Sequence, residues 1–126
     1  MNKSRILVVD DEPNLSGLVR LFLEKTQRFE VRVENRSAHA LAAAREFRPE
    51  LVLLDVDMPG KDGGDVAAEL KADPTLRNVP IVFLTSLVTQ ADAGVRGGMH
   101  FLSKPVSLKS LIETVDRMLA GGVAAA

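Results

Sequence analysis

Apolar residues along this chain fall into two kinds of pattern. Three short runs are continuous: ILVV at 6–9, LVLL at 51–54 and IVFL at 81–84. A run of that length without alternation suits a strand covered on both faces. Each run stops at polar residues: Asp10-Asp11, Asp55 and Thr85. Residues 29–34, FEVRVE, alternate with period two, which predicts a half-exposed strand at the edge of a sheet. Residues 99–102 make a last short strand, followed by Ser103-Lys104-Pro105.

Between the strands the period lengthens to that of a helix. Glu12-Pro13-Asn14 opens the first, because Pro is tolerated in a first turn and acids there favour the positive end of the dipole. Leu15, Leu18, Val19, Phe22 and Leu23 then share one predicted face. Ser37 is a candidate N-cap for a helix over 38–47, with Ala40, Leu41, Ala44 and Phe47 inward. Residues 62–72 predict a third helix, its start weakened by Gly63 and Gly64. A short, poor fourth helix is expected around Val88, Ala91 and Val95, among Gly94, Gly97 and Gly98. Leu108, Leu111, Ile112, Val115, Met118 and Leu119 line the fifth, with Ser107 as N-cap, Val106 stapled onto Leu111, and Gly121-Gly122 expected to stop it.

Strands alternating with helices predict an α/β fold: a parallel sheet with helices on both faces and right-handed crossovers. At 126 residues there is room for one domain. It is expected over 1–121, with 122–126 a flexible tail or the start of a linker. Five Phe and no Trp or Tyr leave a core of aliphatic residues. A net charge of -1 gives no basic footprint, so no direct contact with nucleic acid is expected. The absence of Cys excludes disulfides and thiolate metal sites. The first apolar run is too short for a secretory signal or a membrane span, and a cytoplasmic location is expected.

The strand ends carry the candidate chemistry. In a parallel sheet all carboxyl ends lie on one rim, so Asp10, Asp11, Asp55, Thr85 and Lys104 are expected to meet there. Taken singly, adjacent aspartates make a solvated turn, a Thr after a strand has no special role, Lys-Pro makes a turn, and Asp55 could cap the third helix. Together they form three carboxylates, a hydroxyl and an ammonium. Neighbouring carboxylates repel and raise each other's pKa unless a cation joins them. Mg2+ suits, with its preference for oxygen ligands and phosphate; Mn2+ is an alternative. A carboxylate there can attack phosphorus, while metal, lysine and hydroxyl hold the three phosphoryl oxygens. His39 and His100 are expected at the surface or boundary, and Phe101 on composition alone in the core.

The segments ILVVDDEP, LVLLDVDMPGKDG, VPIVFLTS and FLSKP, in this order, resemble the receiver domain of two-component response regulators, of the chemotaxis-regulator type. The resemblance spans essentially the whole chain. It implies the flavodoxin-like (βα)5 doubly wound sheet, five parallel strands in order 2-1-3-4-5. It further implies Asp55 as phosphoacceptor, Mg2+ held by Asp11, Asp55 and the main-chain carbonyl of Asp57, and Asp10 acting through water. Thr85 and Lys104 would hold phosphoryl oxygens, the peptide before Pro105 would be cis, and Thr85 and Phe101 would form the switch. The implied donor is a phosphohistidine on a sensor histidine kinase or a phosphotransfer protein. The implied readout is the face of helix four, strand five and helix five, toward an unknown output protein or domain, by a monomer or a phosphorylation-dependent dimer. Asp57 and Leu87 stand at positions that tune dephosphorylation in the family.

One departure is visible. The interval from Thr85 to Lys104 is shorter than the family's by roughly one helical turn, and the missing length falls in helix four. Two competing readings remain. A degenerate receiver would be a constitutive interaction module. A haloacid-dehalogenase-type phosphatase would use Asp55-Val56-Asp57, but Pro59 breaks its Asp-x-Asp-x-Thr/Val signature and these 126 residues leave no room for a substrate cap. The expectation is therefore a phosphoacceptor with intrinsic phosphotransfer and autodephosphorylation, not an enzyme with a separate substrate.

Overall fold

The continuous aliphatic runs are buried on both faces of one sheet. In the computed structural model, which describes residues 3–86, 94–96 and 99–124, the elements run β1 (Ser4–Val9), α1 (Pro13–Glu24), β2 (Phe29–Glu34), α2 (Ala40–Phe47), β3 (Leu51–Asp55), α3 (Gly63–Ala72), β4 (Ile81–Thr85), β5 (Gly94–Arg96), β6 (Met99–Ser103) and α4 (Leu108–Ala124). The sheet order is β2-β1-β3-β4-β6-β5. All pairings are parallel except β5 against β6. With β6 counted as the fifth parallel strand, this is the flavodoxin-like order 2-1-3-4-5. The alternating strand β2 lies at the edge, where its polar positions can face water.

Successive strand residues point to opposite faces, and this divides the core in two. Ile6, Val8, Leu51, Leu53, Val82, Leu84 and Leu102 pack with Val19 and Leu23 of α1 and with Leu111, Val115 and Met118 of α4. Leu7, Val9, Val52, Leu54, Ile81 and Phe83 pack with Ala40, Ala43 and Ala44 of α2 and with Val66 and Leu70 of α3. Alanines on α2 let that helix approach the sheet closely. At its C-terminus Arg48 adopts a left-handed φ of 53°. The Arg5 guanidinium donates from Nε to the carbonyls of Phe47 and Arg48 at 3.2 and 2.8 Å, placing a cation at the negative end of the dipole.

Several local expectations are corrected. Residues 87–93, which include Val88 and Ala91, lie outside the described residues, but Val95 sits in β5, a strand antiparallel to β6 with Arg96 opposite Met99. The glycines that made this a poor helix fit the change, since Gly disfavours helix. Leu18 is 42% exposed. It lies one residue, about 100°, round the helix from the buried Val19, at the flank of a stripe that the buried Ser16 completes. Ser37 opens a 3-10 turn instead of capping α2, and its hydroxyl donates to the Pro59 carbonyl at 3.4 Å. α4 passes Gly121 and Gly122 and reaches Ala124, beyond the expected stop. Each Gly costs about 1 kcal/mol against Ala in a helix, which weakens the helix without forbidding it. The cap on α4 is as expected, with the Ser110 amide donating to Ser107 Oγ at 3.1 Å.

Two features tie the connections of β3 and α3 to the sheet. Asp62 caps α3 in a capping box with Asp65, which leaves Asp55 free of that duty. Gly63 donates to the Val56 carbonyl at 2.9 Å. A Cβ on Gly63 would meet the Asp55 carbonyl oxygen at 2.5 Å and Val56 Cα at 2.9 Å, both backbone atoms. On Gly64 it would meet only an Asp62 carboxylate oxygen, at 3.2 Å. Beyond α3, Asp73 accepts from the Thr75 hydroxyl and amide at 2.6 and 2.8 Å and from Arg45 Nε at 2.7 Å. The Thr75 hydroxyl and then Arg45 hold the Asp73 carboxyl down to about 2.

Gly63→Ala is expected to lose about 1–3 kcal/mol in urea denaturation followed by circular dichroism, while Gly64→Ala, where the contact with Asp62 offsets part of the helix gain, is expected to lie between neutral and about 1 kcal/mol more stable. A depressed carboxyl stabilises the fold above its unfolded pKa and stops doing so as the pH falls through its folded value. The deficit of Asp73→Asn should therefore be constant above about pH 5 and close as the pH falls toward about 2.

Candidate functional site

Strand register brings the distant polar residues together. Val9 stands opposite Leu54, Asp55 opposite Leu84, and Thr85 opposite Ser103. Asp10, Asp55, Thr85 and Lys104 therefore leave the sheet on the same rim. The polar groups begin where the aliphatic runs end, so the carboxylates are desolvated by the same strands that present them. Asp10, Asp55 and Thr85 are buried, Asp11 and Lys104 half-buried, and Asp57 exposed.

The Lys104 ammonium donates to Asp55 Oδ1 at 2.9 Å and lies 3.8 Å from Asp10 Oδ2. Its own backbone amide donates to the Thr85 carbonyl at 2.9 Å, which fixes the lysine to the end of β4. The Lys104–Pro105 peptide is cis. Asp55 Oδ1 also accepts from the Asp57 amide at 3.3 Å, and Asp10 Oδ1 from the Glu12 amide at 2.9 Å. The remaining oxygens, Asp10 Oδ2 and Asp55 Oδ2, are buried and make no hydrogen bond. Phe101 is half-buried on β6, its ring stacked on Phe83 with centroids 5.4 Å apart. Leu87 lies outside the described residues.

Burial pushes the Asp10 carboxyl up to about 6, and the Asp55 charge adds to the rise. Asp11 is also raised, by desolvation and by its contact with Asp55. For Lys104 desolvation acts downward, but the hydrogen bond to Asp55 and the charges of Asp10 and Asp55 outweigh it and raise the ammonium. One lysine thus faces three carboxylates. One oxygen from each of Asp10, Asp11 and Asp55 lies within 4.8 Å of the others. Two buried oxygens without hydrogen bonds, in an all-oxygen set, fit a hard divalent cation such as Mg2+.

Two contributors were not legible as such in the sequence. Gly63 reads there only as a weak helix start, whereas it lets α3 begin against the Asp55 carbonyl. Asn35 donates from Nδ2 to the Asp10 carbonyl at 2.7 Å, a contact between the ends of β1 and β2 that no local motif announces.

Residues 6–116 match the response regulator receiver domain family. The chain is 40% identical over 120 residues to the DNA-binding response regulator MtrA of Mycolicibacterium smegmatis, covering 93% of this chain and 51% of that protein. It is 33% identical over 121 residues to the protein PilH of Pseudomonas aeruginosa, covering 94% and 99%. The chain thus spans about half the length of the first relative and nearly all of the second. Its structure is similar to the receiver domain of the sensor histidine kinase PA1611 from Pseudomonas aeruginosa, with a TM-score of 0.81, 25% identity, and 94% and 99% of the two chains covered. That structure has a magnesium ion coordinated in its active-site cleft. Among the described residues of this chain, no helix is long and apolar enough to cross a membrane.

A buried acid with a raised folded pKa destabilises the fold at every pH above that value, and ceases to do so below its unfolded pKa. Asp10→Asn is therefore expected to raise cation-free stability at pH 7.5 by about 1–2 kcal/mol, measured by urea denaturation. Millimolar Mg2+ should stabilise the parent and narrow that gap. An unchanged or lower cation-free stability of the variant would contradict this electrostatic account.

Proposed function

The chain belongs to the response regulator receiver domain family, and on that premise we propose that it is a phosphoacceptor switch with Asp55 as the acceptor. The observation that carries the reading is the buried Asp55 carboxylate at the end of β3, held by Lys104 on one oxygen and free of hydrogen bonds on the other. Asp11, Asp55 and the Asp57 carbonyl would hold Mg2+ or Mn2+, with Asp10 acting through water. Bound there, the ion would neutralise charge on the phosphoryl oxygens.

Asp55 Oδ2 supplies the lone pair that attacks phosphorus of a phosphohistidine on a sensor histidine kinase or phosphotransfer protein. The new O–P bond makes an aspartyl phosphate. The N–P bond breaks, and its electron pair stays on the imidazole, which takes up a proton. Lys104 holds the other Asp55 oxygen beforehand and pairs with a phosphoryl oxygen afterwards, and the Thr85 hydroxyl meets another. Hydrolysis of the aspartyl phosphate resets the site, so the chain receives a phosphoryl group and does not turn over a separate substrate.

Phosphorylation brings about two negative charges to the rim. Any arrangement of Thr85 and Lys104 that satisfies those charges gains population. Because Thr85 ends β4 and Lys104 follows β6, the change reaches Phe101 and the surface formed by β6, β5 and α4, where an output protein or domain would bind. We place the activity in the cytoplasm, without direct nucleic-acid or membrane contact by this domain. The complete acid, hydroxyl and lysine set favours this reading over an inert interaction module, and Pro59 in the last place of the Asp-x-Asp-x-Thr/Val signature favours it over a haloacid-dehalogenase-type phosphatase.

Acetyl phosphate with Mg2+ is expected to add one phosphoryl group to the intact protein, located on Asp55 by tandem mass spectrometry. The adduct should vanish in Asp55→Asn and on chelation of the metal. Labelling that survives in Asp55→Asn, or no labelling by either acetyl phosphate or the cognate kinase, would overturn the proposal. Multiple turnover of p-nitrophenyl phosphate would favour the phosphatase reading.

A further inference from the structure

Both backbone polar groups of Asp10 are held from the end of β2. The Asp10 amide donates to the Glu34 carbonyl at 3.1 Å. The Asp10 carbonyl accepts from Asn35 Nδ2 at 2.7 Å, and the same nitrogen lies 3.0 Å from Ser16 Oγ. A carbonyl only accepts, so the amide must turn its nitrogen toward it. Ser16 Oγ is 3.2 Å from the Glu12 carbonyl and 3.3 Å from the Pro13 carbonyl, so its proton is directed within α1 and its lone pair receives Asn35. The β1–β2 ladder ends where Val9 stands opposite Glu34. Asn35 prolongs it by one rung with a side chain.

The peptide so clamped is the one that joins the two acids. The Asp10 carbonyl and the nitrogen and Cα of Asp11 lie in one rigid plane. Fixing the carbonyl therefore fixes the direction in which Asp11 leaves β1. We propose that Asn35 is a positioning residue for the divalent-cation site, aiming the Asp11 carboxylate toward Asp10 and Asp55 by its grip on the Asp10 carbonyl. This rests on the cation reading given above. Asn35 acts through the backbone and does not itself hold the ion. Ser16 orients Asn35 and has the smaller share.

The test is the Mg2+ dissociation constant of the full chain, measured by isothermal titration calorimetry at a temperature where circular dichroism shows each variant folded. Loss of an outer contact of this kind is expected to weaken Mg2+ binding about tenfold in Asn35→Ala, and less than about threefold in Ser16→Ala, which keeps the bond to Asp10. Asn35→Leu keeps the side-chain shape without the donor, so the comparison survives if the cavity in Asn35→Ala unfolds the domain. A merely structural Asn35 would lower the melting temperature and leave the dissociation constant unchanged, which would overturn the inference. An equal loss in Ser16→Ala would move the effect to the first turn of α1 and overturn it as well. Failure of the parent protein to bind Mg2+ would instead contradict the cation reading itself.

Discussion

The Lys104 ammonium sits 2.9 Å from a carboxylate that water barely reaches, with a second buried carboxylate 3.8 Å away and a third acid beside them. Charge withdrawn from water is costly unless it is paired. The lysine relieves only part of that cost here, because it is one cation among three acids. The strands allow no retreat: β1 and β3 are aliphatic up to the residue before each buried Asp, so the charges can be placed only at the rim. The site is held together by lysine and backbone amides and stays short of positive charge. That deficit suits a divalent cation, which would bring the missing positive charge.

The parts that serve this balance are spread over most of the chain and joined by short bonds. Lys104 is tied to β4 through its own amide, and Asp55 is backed by Gly63 at the start of α3. Asp10 is held by Glu34 and Asn35 at the end of β2. Two of these ties join neighbouring strand ends, and the third joins β3 to the start of α3. The antiparallel β5 lies outside β6, at the far edge of the sheet from β2.

Much of this was legible because it follows from periodicity. Continuous apolar runs of four residues, closed by polar or turn residues, suit buried strands, and the carboxyl ends of parallel strands share a rim. Hence the meeting of Asp10, Asp11, Asp55 and Lys104 followed from where each run stopped. What escaped depended on contacts between distant segments. Gly63 looked like a weak helix start because its neighbour, the Asp55 carbonyl, is not visible in local sequence. Asn35 carried no pattern at all. Val95 fits a helix or a strand equally by spacing over so few residues, and the neighbouring Gly94, Gly97 and Gly98 disfavour the helix. Leu18 fitted the helical spacing, but the buried stripe is narrower than the pattern and is shared with Ser16.

The most direct test of the central claim is a crystal structure of the full chain with Mg2+ and trifluoroberyllate, a mimic of a phosphoryl group on a carboxylate. The account predicts the mimic on Asp55, Lys104 and Thr85 in contact with its fluorines, and the metal ligated by Asp11, Asp55 and the Asp57 carbonyl. A metal and mimic bound away from this rim, or Lys104 directed away from an occupied Asp55, would contradict it.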